Sequence, residues 1–227
     1  MARMQAVADI LLLAQQQRPP VYFIALQEVV PALDDALVPL LSSVGYHIIR
    51  QPLALGGVLP YGVALAVHES VTILEEGWQP YTGLTQMNRG FCYAHCRLPS
   101  DNDNTTTCFV TSTHLESWAG PQHTGRAARA QQLTRLEQYC ASMLEGQADV
   151  AIIMGDLNWD DASRKPTDDP LEDVLMDVDW KDAWLETNHL RQTVDEKKGY
   201  TYDAKRNPML GGNLRRRFDR CLVRTAR

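Results

Sequence analysis

The chain has 227 residues, 44% of them hydrophobic, and a formal net charge of −6 at pH 7. This apolar content can build a sizeable core and excludes wholesale disorder. No run of about 18 apolar residues occurs, so the sequence predicts no membrane-spanning helix. The apolar run at 10–14 is also too short for a signal-peptide core. Without an internal repeat or a low-complexity linker, we expect one domain over residues 1–227.

The charge is unevenly distributed along the chain. Residues 205–227 carry eight basic side chains and one acid, a net charge of +7, which leaves −13 for the remainder. The basic residues are Lys205, Arg206, Arg215, Arg216, Arg217, Arg220, Arg224 and Arg227. A basic end on an acidic body is compatible with a bound polyanion, and equally with a solvated arginine cluster.

The five cysteines predict free thiols. Their spacing offers neither a C-x-x-C zinc pair nor a disulfide framework, and their number is odd. We therefore expect buried or free thiols in a reducing compartment.

Hydrophobic periodicity predicts strands interleaved with helices. In chain order we expect a helix (2–17), a strand (21–26), a helix (32–44), strands (46–50, 61–67, 71–75, 91–98 and 108–113), a helix (124–145), a strand (150–154), a short helix (180–186) and a strand (218–223). Several strands follow one another without a helix between them. The pattern therefore favours mixed sheets flanked by helices over a simple parallel arrangement.

Polar side chains follow three of these strands, at positions where a buried core would not accommodate them. Glu28 follows the first strand, His114 follows the strand at 108–113, and Asp156 and Asn158 alternate after the strand at 150–154. Together two carboxylates, an amide and an imidazole would suit a hard divalent cation and a phosphate.

Each of these residues also has a structural interpretation. Glu28 could form a salt bridge at a strand end, and Asp156 with Asn158 could form an Asx turn. His114 could be a structural histidine, and Asp219 could pair with the arginines that flank it.

Four short motifs occur in an order that resembles the endonuclease/exonuclease/phosphatase superfamily. They are L-Q-E-V at 26–29, T-H-L-E-S at 113–117, G-D-L-N at 155–158 and R-F-D-R at 217–220. Within the superfamily, T-H-L-E-S is typical of the tyrosyl-DNA phosphodiesterase 2 branch. The resemblance implies an α/β (α+β) fold, a four-layer α/β/β/α sandwich of two packed mixed sheets with the site at one edge.

The resemblance also implies roles for the polar residues. Glu28 matches the carboxylate that binds Mg²⁺ or Mn²⁺, and Asp156 matches the residue that activates or orients the attacking water. Asn158 matches its partner, which positions water and a phosphate oxygen. Asp219 matches an aspartate that pairs with a catalytic histidine further along the chain.

The substrate-binding set implied by the resemblance covers the phosphate and the DNA end. Its members are His114, Glu116, Ser117, Trp118, Asn158, Trp159 and Tyr202. His114 and Ser117 match groups that hold the scissile phosphate. Tyr202 falls where the branch carries an aromatic residue against the DNA end, and Trp118 or Trp159 could add a second stacking face.

Two motifs of the family pattern, T-W-N and S-D-H, do not occur in this sequence. We therefore expect a domain that lacks the first and last strands of the family fold and has unpaired strand edges. The function implied is metal-dependent hydrolysis of 5′-phosphotyrosyl bonds on DNA ends left by topoisomerase 2, by a monomeric nuclear protein with the cytoplasm as a second location. The alternatives are a catalytically inactive nucleic-acid-binding protein, and another nuclease or phosphatase activity of the superfamily.

Overall fold

The structure is a computed structural model that describes residues 9–10, 13, 20–58, 60–100, 105–117, 125–159, 175, 179–190 and 198–226. Its strands are β1 (Phe23–Val29), β2 (Tyr46–Arg50), β3 (Gly62–His68), β4 (Thr72–Pro80), β5 (Gly90–Arg97), β6 (Thr107–His114), β7 (Val150–Asp156), β8 (Lys181–Asp182), β9 (Tyr202–Asp203), β10 (Arg215–Arg216) and β11 (Asp219–Thr225). Its α-helices with defined bounds are α1 (Pro31–Ser43), α2 (Arg126–Leu144) and α3 (Ala183–Glu186), and single 3-10 turns span Leu53–Leu55 and Asn188–Leu190.

Two main sheets carry the fold. One has three antiparallel strands in the order β1-β3-β2, and the other has six in the order β4-β5-β6-β7-β11-β8. In the larger sheet β6 and β7 run parallel while the other neighbours run antiparallel, so it is the mixed sheet expected from the sequence. Strands β9 and β10 form a separate short hairpin.

The sheets face each other and each is covered by a helix on its outer side. β1 packs over β6 and β7, β3 over β5 and β6, and β2 over β4 and β5. Leu65, Cys92 and Val110 fill the space between the sheets. Leu41 of α1 packs on the outer face of the small sheet, and Leu136 of α2 on that of the large one. The four-layer α/β/β/α prediction is confirmed.

Alternating side chains explain why β5 can separate two cores. Cys92, Ala94 and Cys96 point into the space between the sheets, while Phe91 and Tyr93 pack towards α2. Each side chain of a strand faces opposite to its neighbour, so one strand serves both layers. Apolar burial at about 25 cal/mol per Å² makes these two cores the main source of stability.

Several predicted boundaries are corrected by the structure. The strand predicted at 71–75 continues as β4 to Pro80, because the whole segment pairs with β5. The helix predicted at 180–186 begins with the two-residue strand β8, and α3 is only four residues long. Of the helix predicted at 2–17, the structure describes Asp9, Ile10 and Leu13, all helical.

Two simpler expectations are also tested. The five cysteines carry free thiols, as predicted from their spacing. Within the described part of the chain, no helix is long and apolar enough to cross a membrane.

β1 lies at an edge of the small sheet, where β3 is its only partner among the described strands.

Candidate active site

Asp156 lies at the centre of a row of strand ends on the large sheet. In register, its Cα is opposite His114 at the end of β6 and opposite Asp219 at the start of β11. The backbone N–H of Asn158 donates to Asp156 Oδ1 at 2.7 Å, and the N–H of Leu115 donates to the Asp156 carbonyl at 2.9 Å. The carboxylate is therefore held in one orientation by the chain itself.

Gly155 makes this close strand approach possible. Its φ is +140°, and a Cβ there would overlap the carbonyl oxygen of Thr113 on β6. Only glycine avoids both the overlap and the strained backbone. The sequence G-D at 155–156 therefore places the carboxylate against His114.

His114 is buried and neutral. Its side chain is 2% exposed, and its Nε2 lies 3.5 Å from Asp156 Oδ2. A guanidinium nitrogen of Arg89 contacts Nδ1. Because a guanidinium can only donate, Nδ1 accepts and the proton is on Nε2, facing Asp156. Burial, followed by the charge of Arg89, lowers the pKa of His114 to about 3.

Asp156 carries an unusually basic carboxylate. Burial is the largest cause that raises its pKa, to about 7, and repulsion from Asp219 and Glu28 adds to the shift. The hydrogen bond from Asn158 and the charge of Arg89 act in the opposite direction. A carboxylate with a pKa near neutrality is suited to accept a proton from water.

Glu28 reaches the site from the opposite sheet. It is exposed, its φ is +53°, and it lies where the β1–β3 register shifts between Leu26 and Val29. Its neighbour Gln27 donates to Ser112 Oγ at 3.2 Å, which ties this strand end to β6. Glu28 forms no ion pair with any residue that the structure describes, so the salt-bridge interpretation is not supported.

The Asx-turn interpretation of Asp156 and Asn158 is correct, and it is compatible with a site. Asn158 has a φ of +50°, and its side-chain amide donates to the carbonyl of Leu115 at 2.9 Å. The turn therefore locks Asp156 and Asn158 against the loop that follows β6. The two residues lie together, as the sequence motif predicts.

Glu116 is a correction to the predicted substrate-binding set. It is fully buried, and its carboxylate accepts hydrogen bonds from Thr85 Oγ1 (2.7 Å), the N–H of Gln86 (2.9 Å) and Gln132 Nε2 (3.1 Å). Burial raises its pKa, but these donors outweigh that effect and the net pKa is lowered. A saturated, buried carboxylate joins the loop at 84–87 to α2 and is not available to a substrate.

The structure describes three of the remaining predicted residues, Ser117, Trp159 and Tyr202. Ser117 Oγ donates to Met87 Sδ at 3.2 Å. Trp159 packs against the core, with the Arg220 guanidinium 4.8 Å from its ring centre. Tyr202 on the β9–β10 hairpin contacts Phe218 edge-on, with ring centres 5.8 Å apart. Trp118 lies outside the described residues.

The basic end is largely consumed by internal ion pairs. Arg217 and Arg220 both donate to Asp182, at 2.8 and 3.0 Å, and Arg215 donates to Asp203 at 2.8 Å. Arg206 and Arg224 also pair with protein carboxylates. A freely solvated cluster is therefore the wrong description. Asp219, exposed between two of these arginines, forms no ion pair with a described residue.

Sequence reasoning missed Arg89 and Tyr61. Arg89 is 6% exposed, its Cζ lies 5.0 Å from the ring centre of Tyr61, and its Nη2 donates to the Tyr61 hydroxyl at 3.3 Å. Burial lowers the pKa of Arg89, while surrounding acids oppose that change. Arg89 directly precedes β5 and Tyr61 directly precedes β3, and hydrophobic periodicity does not distinguish a site residue at such a position.

The residues fit a divalent cation by their charge and donor type. The mutual repulsion that raises the pKa of Asp156 comes from Asp219 and Glu28, which are carboxylates of the kind that hard cations prefer. In the described part of the chain, no group of three or more His, Cys, Asp or Glu residues converges as a ready-made metal site. The acidic residues therefore suit a divalent cation by charge and donor type, but within the described residues they do not converge on one point.

This geometry agrees with a family assignment. The family model described as the Endonuclease/Exonuclease/phosphatase family matches residues 1–227. The chain belongs to that family, and its fold is that of the family's hydrolases. The search of curated protein sequences returned no match.

The chain is also similar to several solved structures. The chain is similar to a truncated TDP2 from Caenorhabditis elegans, with a TM-score of 0.71, 24% identity, and coverage of 98% of this chain and 76% of that one. It is similar to D. rerio TDP2 complexed with a single-strand DNA product, with a TM-score of 0.66, 22% identity, and coverage of 99% and 77%. The human Nocturnin catalytic domain with bound sulfate matches with a TM-score of 0.64, 19% identity, and coverage of 98% and 74%.

These likenesses establish the fold. All three identities are below 25%. Against a longer C. elegans TDP2 chain, this chain covers 58% of its length. Substrate and activity therefore depend on the site residues of this chain.

Proposed function

We infer that this protein is a divalent-metal-dependent phosphodiesterase that hydrolyses 5′-phosphotyrosyl bonds on DNA ends. The observation that carries this proposal is the row Arg89–His114–Asp156, with Tyr61 stacked on the guanidinium. It combines a fixed proton acceptor, a neutral imidazole and a buried cation at one edge of the large sheet.

Asp156 would orient water and accept its proton. The carboxylate is fixed by Asn158 and has a pKa raised to about 7, close to the value that favours general-base catalysis at neutral pH. Asn158 lies beside it, where its amide can contact water or a phosphate oxygen. Holding the nucleophile in line with the leaving group removes much of the entropic barrier.

Arg89 would oppose the negative charge that develops on the phosphate and leaving group. Its Nε is buried and has no hydrogen-bond partner among the residues that the structure describes, so one donor is open to a substrate. A preorganised cation in a dry site stabilises such charge far better than one in water. The aromatic ring of Tyr61 beside it suits a phenolic leaving group.

A tyrosyl leaving group fits a site of this kind. The phenolate has a reference pKa of about 10, so it leaves without the protonation that a sugar alkoxide requires. Glu28 would hold Mg²⁺ or Mn²⁺, and the ion would neutralise part of the phosphate charge. The DNA repair role, the monomeric state and the nuclear location are part of this proposal.

Another nuclease or phosphatase activity is the second candidate. The Nocturnin catalytic domain has a similar fold, with a TM-score of 0.64 against 0.66 for the D. rerio protein, so the fold alone does not choose between them. The Arg89–Tyr61 stack favours the phosphotyrosyl substrate. A catalytically inactive nucleic-acid-binding protein is the third reading.

The test is turnover of an oligonucleotide with a 5′-phosphotyrosyl end, with Mg²⁺ and with EDTA. We expect metal-dependent release of a 5′-phosphate end, reduced about 10³-fold in Asp156→Asn. Asp35→Asn, on the exposed face of α1, is the matched control and keeps its rate. Cleavage of plain DNA or RNA with no preference for the tyrosyl end favours the second candidate. Binding without turnover in a folded protein favours the third.

A further inference from the structure

An uncharged loop with two exposed leucines follows β2. We name residues 51–58 the leucine loop; it contains no acidic or basic residue. Leu53 is 85% exposed and Leu55 is 55% exposed, although both are large apolar side chains. Neighbouring exposed apolar side chains that form a contiguous patch mark interaction surfaces.

The leucine loop is held in shape and does not collapse onto the core. Gln51 is 4% exposed and donates its side-chain amide to the carbonyl of Leu55. The N–H of Gly57 donates to the carbonyl of Pro52 at 3.1 Å, and Gly56 has a φ of +99°. These hydrogen bonds are therefore made within the loop itself, and the two leucine side chains face outward.

The strand order places the leucine loop on one flank of the site. Along the large sheet the site row is Arg89, His114, Asp156 and Asp219, because these residues lie at the ends of β5, β6, β7 and β11. β2 packs over β4 and β5, so the loop lies at the Arg89 end. A Cβ on Gly56 would be 3.9 Å from the side chain of Asn88, the neighbour of Arg89.

The opposite flank has a different chemistry. The β9–β10 hairpin leads into β11 and so lies at the Asp219 end of the row. Residues 199–219 contain five basic and two acidic side chains, a net charge of +3. Even with its internal ion pairs, this flank is the positive one, and phosphate backbones bind where positive charge is in excess.

A phosphodiester joins two groups, so a substrate bound in this site extends towards both flanks. With DNA on the basic flank, the group on the other side of the phosphorus lies towards Arg89, Tyr61 and the leucine loop. We propose that Leu53 and Leu55 bind an apolar peptide segment next to the phosphotyrosyl residue, so that peptide-bearing adducts are preferred to a bare tyrosyl adduct. This inference rests on the proposed function, and it names the protein side of the same substrate.

The test compares two oligonucleotides with identical DNA, one ending in 5′-phosphotyrosine and one in a phosphotyrosyl peptide with leucine and valine neighbours. Binding is measured by fluorescence anisotropy in EDTA, and cleavage is measured with Mg²⁺. We expect the wild type to bind the peptide conjugate about tenfold more tightly. In Leu53→Ser/Leu55→Ser this preference is lost, whereas Leu74→Ser retains it. Leu74 is 45% exposed near the far end of β4.

The outcomes separate the two proposals. Equal binding of both conjugates by the wild type, or an unchanged preference in the double variant, overturns the peptide site. Self-association that the double variant abolishes also overturns it, since the occupant is then a second copy of the chain. Absence of cleavage with an intact binding preference instead counts against the proposed function alone.

Discussion

The two sheets contribute to the candidate site in opposite ways. On the six-stranded sheet, Arg89, His114 and Glu116 are 6% or less exposed. Arg89 is hydrogen-bonded to His114, and Thr85 Oγ1 accepts from the Arg89 backbone N–H and donates to Glu116. On the three-stranded sheet, Glu28 is exposed, has a positive φ and pairs with no described cation. The difference teaches that one half is a preorganised, rigid arrangement, and the other presents an acid to solvent, where an ion can reach it.

The largest expected effect is a loss of stability in the half of the site that lies on the six-stranded sheet. In Gly155→Ala the added methyl group overlaps the carbonyl of Thr113 and the backbone stays at an unfavourable φ, so we expect about 4 kcal/mol less stability. Denaturant unfolding measures the loss. Gly146→Ala is the matched control, because its φ is +127° but nothing lies within 4 Å of the new Cβ. Equal losses in both variants would mean that the strand approach at Gly155 is not tight.

An intermediate effect tests the hydrogen bonds beneath the site. Glu116→Gln replaces a charged acceptor of three donors, and we expect a loss of about 2 kcal/mol at pH 7. The pKa of Glu116 is lowered in the fold, so its stabilising effect is present above the unfolded pKa of about 4.3 and disappears as the pH falls through the folded pKa.

Unfolding of wild type and Glu116→Gln should therefore differ at pH 7 and converge on acidification. Glu76→Gln, at the partly exposed pair with His47, serves as the control and changes stability little. A constant gap at all pH values would show that the charge of Glu116 is not what the donors recognise.

The smallest expected effect is a gain in stability, at Glu28 on the three-stranded sheet. Glu28→Gly relieves a positive φ, so we expect a gain of about 0.5–1 kcal/mol together with loss of phosphodiesterase activity. Glu28→Ala should lose activity without that gain, since alanine keeps the strain. Thermal unfolding and turnover are measured on the same samples. A clear loss of stability in Glu28→Gly would place Glu28 among the structural residues of the fold.

Much of the fold was accessible from pattern alone. The strand predicted at 46–50 matches β2, and most other strands and α2 were located within a few residues. The sequence of β5 alternates in the same way as its burial, with Cys92, Ala94 and Cys96 between the sheets and Phe91 and Tyr93 towards α2. These successes share a cause, since each segment's burial repeats with the period of its own backbone.

The site was only partly accessible. Glu28, His114, Asp156 and Asn158 stand out because polar residues follow buried strands, and the structure brings them to one edge. Glu116 stands in the same motif as His114, yet its partners come from loop 84–87 and α2, distant in sequence. No local pattern separates a carboxylate that faces substrate from one that faces internal donors.

The sequence by itself therefore determined the strand and helix pattern, the mixed sheets flanked by helices and the acidic, histidine-containing strand ends, while the four-layer architecture was implied by the family resemblance. Burial and periodicity are local properties, and a single chain displays them. Only the tertiary structure decided that Arg89 stacks on Tyr61, that Asp182 binds Arg217 and Arg220, and that the basic and leucine-bearing flanks lie at opposite ends of the site. Those relations depend on which strands become neighbours, and strand order is a property of the whole packed sheet.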